Sequence, residues 1–85
     1  MSRIENFKKI QNEGLELFIK KNTDYGDAFA LYGVVGVLIR MQDKLARYIS
    51  INKTSINLVD NESIRDTLID LMNYSGMALL LLDEN

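Results

Sequence analysis

An all-α fold, a small bundle of three main helices and one short helical turn, is predicted by two features of the sequence. Apolar residues recur at three- and four-residue spacing over three long stretches, roughly residues 2 to 22, 33 to 51 and 61 to 83. The run after Gly76 (Met77, Ala78, Leu79, Leu80, Leu81, Leu82) is then apolar nearly all round its helix, more than a small chain can cover with its own remaining helices. A third observation fixes the size of the unit. The 85 residues, 1–85, make one helical domain, and a core of that size is marginal without staples. Completion by oligomerisation, as a dimer or higher, is therefore expected.

The first helix opens on Ser2 followed by Glu5, the spacing of a capping box. Ile4, Phe7, Ile10, Leu15, Leu17, Phe18 and Ile19 line one broad face up to about Asn22. Gly14 interrupts that face at a penalty of roughly 1 kcal/mol relative to Ala, so a close helix-helix approach is expected there. Asn22, Thr23, Asp24 and Gly26 end the helix, and Asp27 caps a short turn holding Phe29 and Tyr32.

The second helix puts Val34, Leu38, Met41, Leu45 and Ile49 on one apolar face, widened by Val35, Ile39 and Ala46. Only Gly36, Arg40, Asp43, Lys44 and Arg47 form a polar stripe, which predicts a mostly buried helix. Charges on such a helix need partners or a ligand. Ser50 to Asp60 is a polar connection with one extended piece at Ile56 to Val59, and Asp60 or Asn61 caps the last helix. On that helix Glu62, Asp66, Asp70 and Asn73 share a narrow stripe opposite Ile64, Leu68, Leu71, Met72, Leu79 and Leu82. The acidic file is the expected partner of Arg40, Lys44 and Arg47, and Arg40, Asp43 and Arg47 are expected to approach Asp66 and Asp70 across the helix pair. Removing Asp70 would then cost about 3 to 5 kcal/mol if it stranded a buried arginine.

Composition narrows the chemistry. With neither cysteine nor histidine, disulfides, thiol nucleophiles and histidine-based catalysis or metal binding are excluded. The net charge of -2 argues against a partner that is a long nucleic acid. The leucine-rich end is too short to span a bilayer, so no membrane partner and a cytoplasmic location are expected.

The blocks KNTDYGDAF, GVLIRMQDKLAR and ESIRDTLIDLMNY resemble a family of small, largely phage-encoded proteins, the nucleotide modification associated domain proteins. The resemblance runs from Lys21 to about Leu82. It rests on Lys21, Asp24, Tyr25 and Gly26, then Arg40, Asp43, Lys44 and Arg47, then Glu62, Asp66, Thr67, Asp70, Leu71, Asn73 and Tyr74. It implies a link to nucleotide metabolism, in the host cytoplasm for a phage-encoded member. More distantly the chain is similar to all-α nucleotide pyrophosphatases of the MazG type, in which paired acidic motifs on two helices hold magnesium over a triphosphate. Asp66 and Asp70 look like the second motif, with Thr67 where a glutamate is expected. Arg40 and Asp43 stand where paired glutamates are needed.

The resulting expectation is a polar cleft that binds a small phosphorylated nucleotide, modified or signalling. Lys21, Arg40, Lys44 and Arg47 would face phosphate, because a guanidinium pairs phosphate oxygens bidentately. Tyr25 and Tyr74, with Phe29 or Tyr32, would stack on a base, and Asn73 would complete the polar wall. Glu62, Asp66, Asp70 and Asp43 are the candidate ligands of a possible Mg²⁺. No catalytic residue is assigned. The alternatives are a magnesium-dependent nucleoside triphosphate pyrophosphohydrolase and a helical interaction module.

Overall fold

A computed structural model describes residues 2–53 and 61–84. Its elements are α1 (Arg3–Tyr25), a single 3-10 turn (Ala28–Ala30), α2 (Gly33–Lys53) and α3 (Asn61–Asp83). The described residues contain no strand, and the fold is the expected all-α bundle of three helices and one short turn. The extended piece expected at Ile56 to Val59 and the cap expected at Asp60 lie outside the described residues.

Helix α1 begins as its capping signature requires. Ser2 is extended (φ -72°, ψ 160°), and its hydroxyl oxygen accepts from the Glu5 N–H at 3.1 Å, satisfying one of the unpaired first-turn donors. The helix passes the expected end at Asn22 by three residues. Thr23 stays helical with its hydroxyl donating to the Ile19 carbonyl at 2.8 Å, one of the local bonds open to threonine in a helix. Termination falls on Gly26, whose N–H donates to the Asn22 carbonyl at 2.7 Å. Gly26 adopts φ 63° and ψ -152°, a combination essentially restricted to glycine.

Asp27 sits at the start of the short turn without capping it by its side chain. Its carboxylate instead accepts from the Asn22 side-chain amide at 2.9 Å, which ties the turn back to α1. Phe29 on the turn meets Phe18 of α1 edge to face, with centroids 5.8 Å apart and planes at 64°, a favourable aromatic geometry. Tyr32, expected on the same turn, lies beyond it and is 77% exposed.

Helices α2 and α3 make the principal pair, and α1 docks on α3. The buried hydrophobic residues among those described are Val37 of α2 and Ile69 and Ala78 of α3. The expectation that α2 is mostly buried is not met: Val35, Leu38, Ile39, Leu45 and Ile49 are all exposed. The reason is architectural. Because α1 lies against α3 rather than α2, only one side of α2 is covered within the chain.

The crossing of α1 over α3 is built around Gly14, which is buried. A Cβ at this position would stand 2.5 Å from Met72 Cε and 2.8 Å from Asn73 Oδ1, so the close approach expected from the sequence is present. The Asn73 amide donates to the Gly14 carbonyl at 3.0 Å. Next to it, Arg65 grips Glu13 through both guanidinium nitrogens, one of the two bonds measuring 2.8 Å, in the fork geometry that makes arginine-carboxylate pairs specific.

The hydrogen bonds from Arg65 hold the Glu13 carboxyl below its ordinary value of 4.5. A carboxylate depressed in the folded state contributes stability that is fully present above the unfolded value and is lost as pH falls through the folded one. Both groups are solvent-exposed, so the contribution is small. Acid titration followed by α1 amide exchange is expected to loosen the α1–α3 crossing below about pH 4.5. Glu13→Gln should flatten that dependence, and an unchanged acid profile in the variant would remove Glu13 as its source.

Candidate functional site

A cleft of about 400 Å³ opens between the C-terminal half of α1, the short turn, α2 and α3. Helical periodicity explains its walls. Lys21 and Asn22 lie three and four residues after Phe18 on α1, and on α3 Asn73 and Tyr74 lie three and four residues after Asp70, with Met77 one turn further on. Phe29 enters from the turn and Arg40 from α2. Its volume falls within the ~300 to 1,000 Å³ typical of small-molecule sites.

The electrostatic centre is Asp70, whose side chain is 14% exposed. Lys44 of α2 stands 2.7 Å from its Oδ2, and Lys21 of α1 stands 3.6 Å from its Oδ1. One carboxylate thus joins all three helices. Of the three α2 cations expected against the acidic file, Lys44 is the one that pairs with Asp70. Neither Arg40 nor Arg47 forms an ion pair among the described residues, and both are exposed. Lys44 lies one helical turn from each of them and faces Asp70 itself. Loss of Asp70 therefore strands no buried guanidinium, and the larger penalty attached to that arrangement does not apply.

Of the candidate nucleotide residues, Lys21, Arg40, Asn73 and Tyr74 line the cleft together with Asp70. Lys44 reaches it through Asp70. Arg47 lies outside the lining, as do Asp43 and Tyr32. The side chains of Tyr25 and Glu62 lie outside what the structure describes. Asp66 faces a second recess of about 390 Å³, with Glu13, Lys21 and Asp70 among its walls. Both oxygens of Asp70 have lysine partners, and no group of three or more acidic side chains converges among the described residues.

Phe18, Asn22 and Met77 belong to the cleft and were not singled out from the sequence. Their signal was present. Phe18 is three residues before Lys21, and Met77 is four after Asn73 and three after Tyr74, so each extends a stripe whose other members carry charge or hydrogen-bonding groups.

The fold and this cleft define a class: a small all-α module with an aromatic-walled pocket carrying an excess of cationic side chains. The model of the family Nucleotide modification associated domain 1 matches residues 21–82, and the chain belongs to that family. The family's name associates it with nucleotide modification. No curated protein and no solved structure matches the chain.

Proposed function

We propose that the cleft binds a small phosphorylated nucleotide and holds it without hydrolysing it. The base would lie against Phe18, Phe29 and Tyr74, with phosphate at Arg40 and Lys21. The observation supporting this reading is the pairing of an aromatic wall with Arg40, which has no ion pair among the described residues, and the half-exposed Lys21 in one pocket, in a chain of a family associated with nucleotide modification. Each base-aromatic stack contributes roughly 1 to 3 kcal/mol in known sites, and a guanidinium adds bidentate phosphate contacts.

Charge narrows the ligand. Lys44 at 2.7 Å neutralises Asp70, while Lys21, at 3.6 Å and half exposed, is free to turn toward an anion. With Arg40, the cleft lining and the Lys44 seated on it hold three cations against the one carboxylate of the lining, Asp70. That excess matches the charge of about -1.5 to -2 on a phosphomonoester near neutral pH. A triphosphate carries more charge than these side chains balance.

Calorimetry without added divalent cation, against nucleoside mono- and triphosphates, modified deoxynucleotides and cyclic dinucleotides, tests the proposal. Monophosphates or phosphodiesters of similar charge are expected to bind at least as tightly as triphosphates, and mass analysis should recover the ligand intact. Magnesium-dependent release of pyrophosphate and a monophosphate, abolished by Asp70→Ala, would instead make the protein a pyrophosphohydrolase.

A further inference from the structure

Asp70 is an acidic side chain in a cleft whose other charged walls, Lys21 and Arg40, are cationic. With Lys21 it also lines the second recess, where Glu13 and Asp66 join it. The Lys21–Asp70 pair thus forms the partition between the two spaces. Glu13 is gripped by Arg65, while Asp66 forms no ion pair among the described residues. A short anion fits between Arg40 and Lys21. A longer phosphate chain that passes Lys21 meets Asp70 and then the two carboxylates beyond it.

Lys44 completes the balance from outside. Its ammonium stands 2.7 Å from Asp70 Oδ2, yet Lys44 is not part of the cleft lining. Lys21, at 3.6 Å from Oδ1 and 51% exposed, is the looser partner. Asp70 therefore cancels one cation of the three and leaves an excess of two, the charge of one phosphomonoester. From these observations we infer that Asp70 is the specificity-determining residue of the cleft: its carboxylate, set against Lys44, admits a monophosphate and disfavours a polyphosphate chain. The inference rests on the reading of the cleft as a phosphate site and is independent of the base.

Across a cleft of about 400 Å³, roughly 7 Å wide, one unit of wall charge changes affinity about three-fold per ligand charge under the full screening of water. Tripolyphosphate carries about two charges more than inorganic phosphate near neutral pH. Loss of the Asp70 charge should therefore favour tripolyphosphate by roughly ten-fold, so that removing a side chain from the site improves binding.

Inorganic phosphate and tripolyphosphate are the probes, titrated in EDTA and followed by the side-chain amide resonance of Asn73, which lies in the cleft wall, in the isotopically labelled full chain. Asp70→Asn keeps the size of the side chain and an acceptor for Lys44. It is expected to raise the ratio of tripolyphosphate to phosphate affinity roughly ten-fold, and the gain should shrink in about 0.5 M salt. Lys44→Gln removes a cation outside the lining and should lower the same ratio. That arm decides the matter if Asp70→Asn loses helicity by circular dichroism.

An unchanged ratio in the folded variant would overturn the inference. So would an equal loss of both ions in Asp70→Asn, because Asp70 would then only bolt the helices together, or no response of Asn73 to either ion. Nucleoside monophosphates that bind no tighter than inorganic phosphate would sink the nucleotide reading and leave the charge selection standing.

Discussion

Arg40→Ala is expected to weaken monophosphate binding roughly ten- to a hundred-fold while leaving the helices intact. A hydrogen bond to a charged group contributes about 1.5 to 3 kcal/mol, equivalent to about one to two factors of ten in affinity. Arg40 is exposed and forms no ion pair among the described residues, so its removal takes little from the fold. Lys21→Ala should do less, because Lys21 divides its charge between Asp70 and the cleft. Arg40→Lys should recover only part of the loss, since an ammonium cannot reproduce the planar fork. The discriminating comparison is Arg47→Ala, which removes a cation from the same helix outside the cleft lining. Equal losses at Arg40 and Arg47 in calorimetry would move the phosphate to the outer face of α2 and sink the proposed pose.

The parts of this molecule legible in its sequence were those determined by local chemistry. The helices follow from apolar periodicity, the α1 start from Ser2 and Glu5, and the close crossing from a glycine set in an apolar face. What was misread depended on how the helices pair. Periodicity identifies the apolar face of α2 but not whether this chain covers it, and the exposed Leu38 and Leu45 are the consequence. The same limit governed the charges. Arg40, Lys44 and Arg47 fall on one stripe and all three are expected to meet the acidic file, and only the rotation of α2 against α3 selects Lys44 as the partner of Asp70. The second lysine comes from α1, a helix that charge patterning on α2 and α3 could not bring into consideration. Phe18 and Met77 were missed for a related reason: an apolar residue in a helix is normally assigned to the core, and a bundle with so few buried residues frees some of them to wall a cleft.

Gly14→Leu is expected to destabilise the protein by about 1 to 3 kcal/mol, combining ~1 to 3 kcal/mol for overpacking with ~1 kcal/mol for a lost hydrogen bond, less the ~1 kcal/mol the helix gains on losing a glycine. The first atom of any side chain already stands 2.5 Å from Met72 Cε and 2.8 Å from Asn73 Oδ1. Alanine is a close contest, because Met72 is flexible at its tip and the helix gains about 1 kcal/mol from losing a glycine. Leucine leaves no such balance. Its branched end must push α1 away from α3, breaking the bond from Asn73 to the Gly14 carbonyl and stretching the neighbouring grip of Arg65 on Glu13. Since α1 docks on α3 rather than α2, displacement there also removes Phe18, Lys21 and Asn22 from the cleft. Urea unfolding at matched protein concentration should therefore give a lower midpoint for Gly14→Leu, with Gly14→Ala near the wild type. Calorimetry at low urea should show nucleotide binding lost in the leucine variant. A leucine variant with the wild-type midpoint and undiminished ligand affinity would mean that α1 does not cross α3 at Gly14.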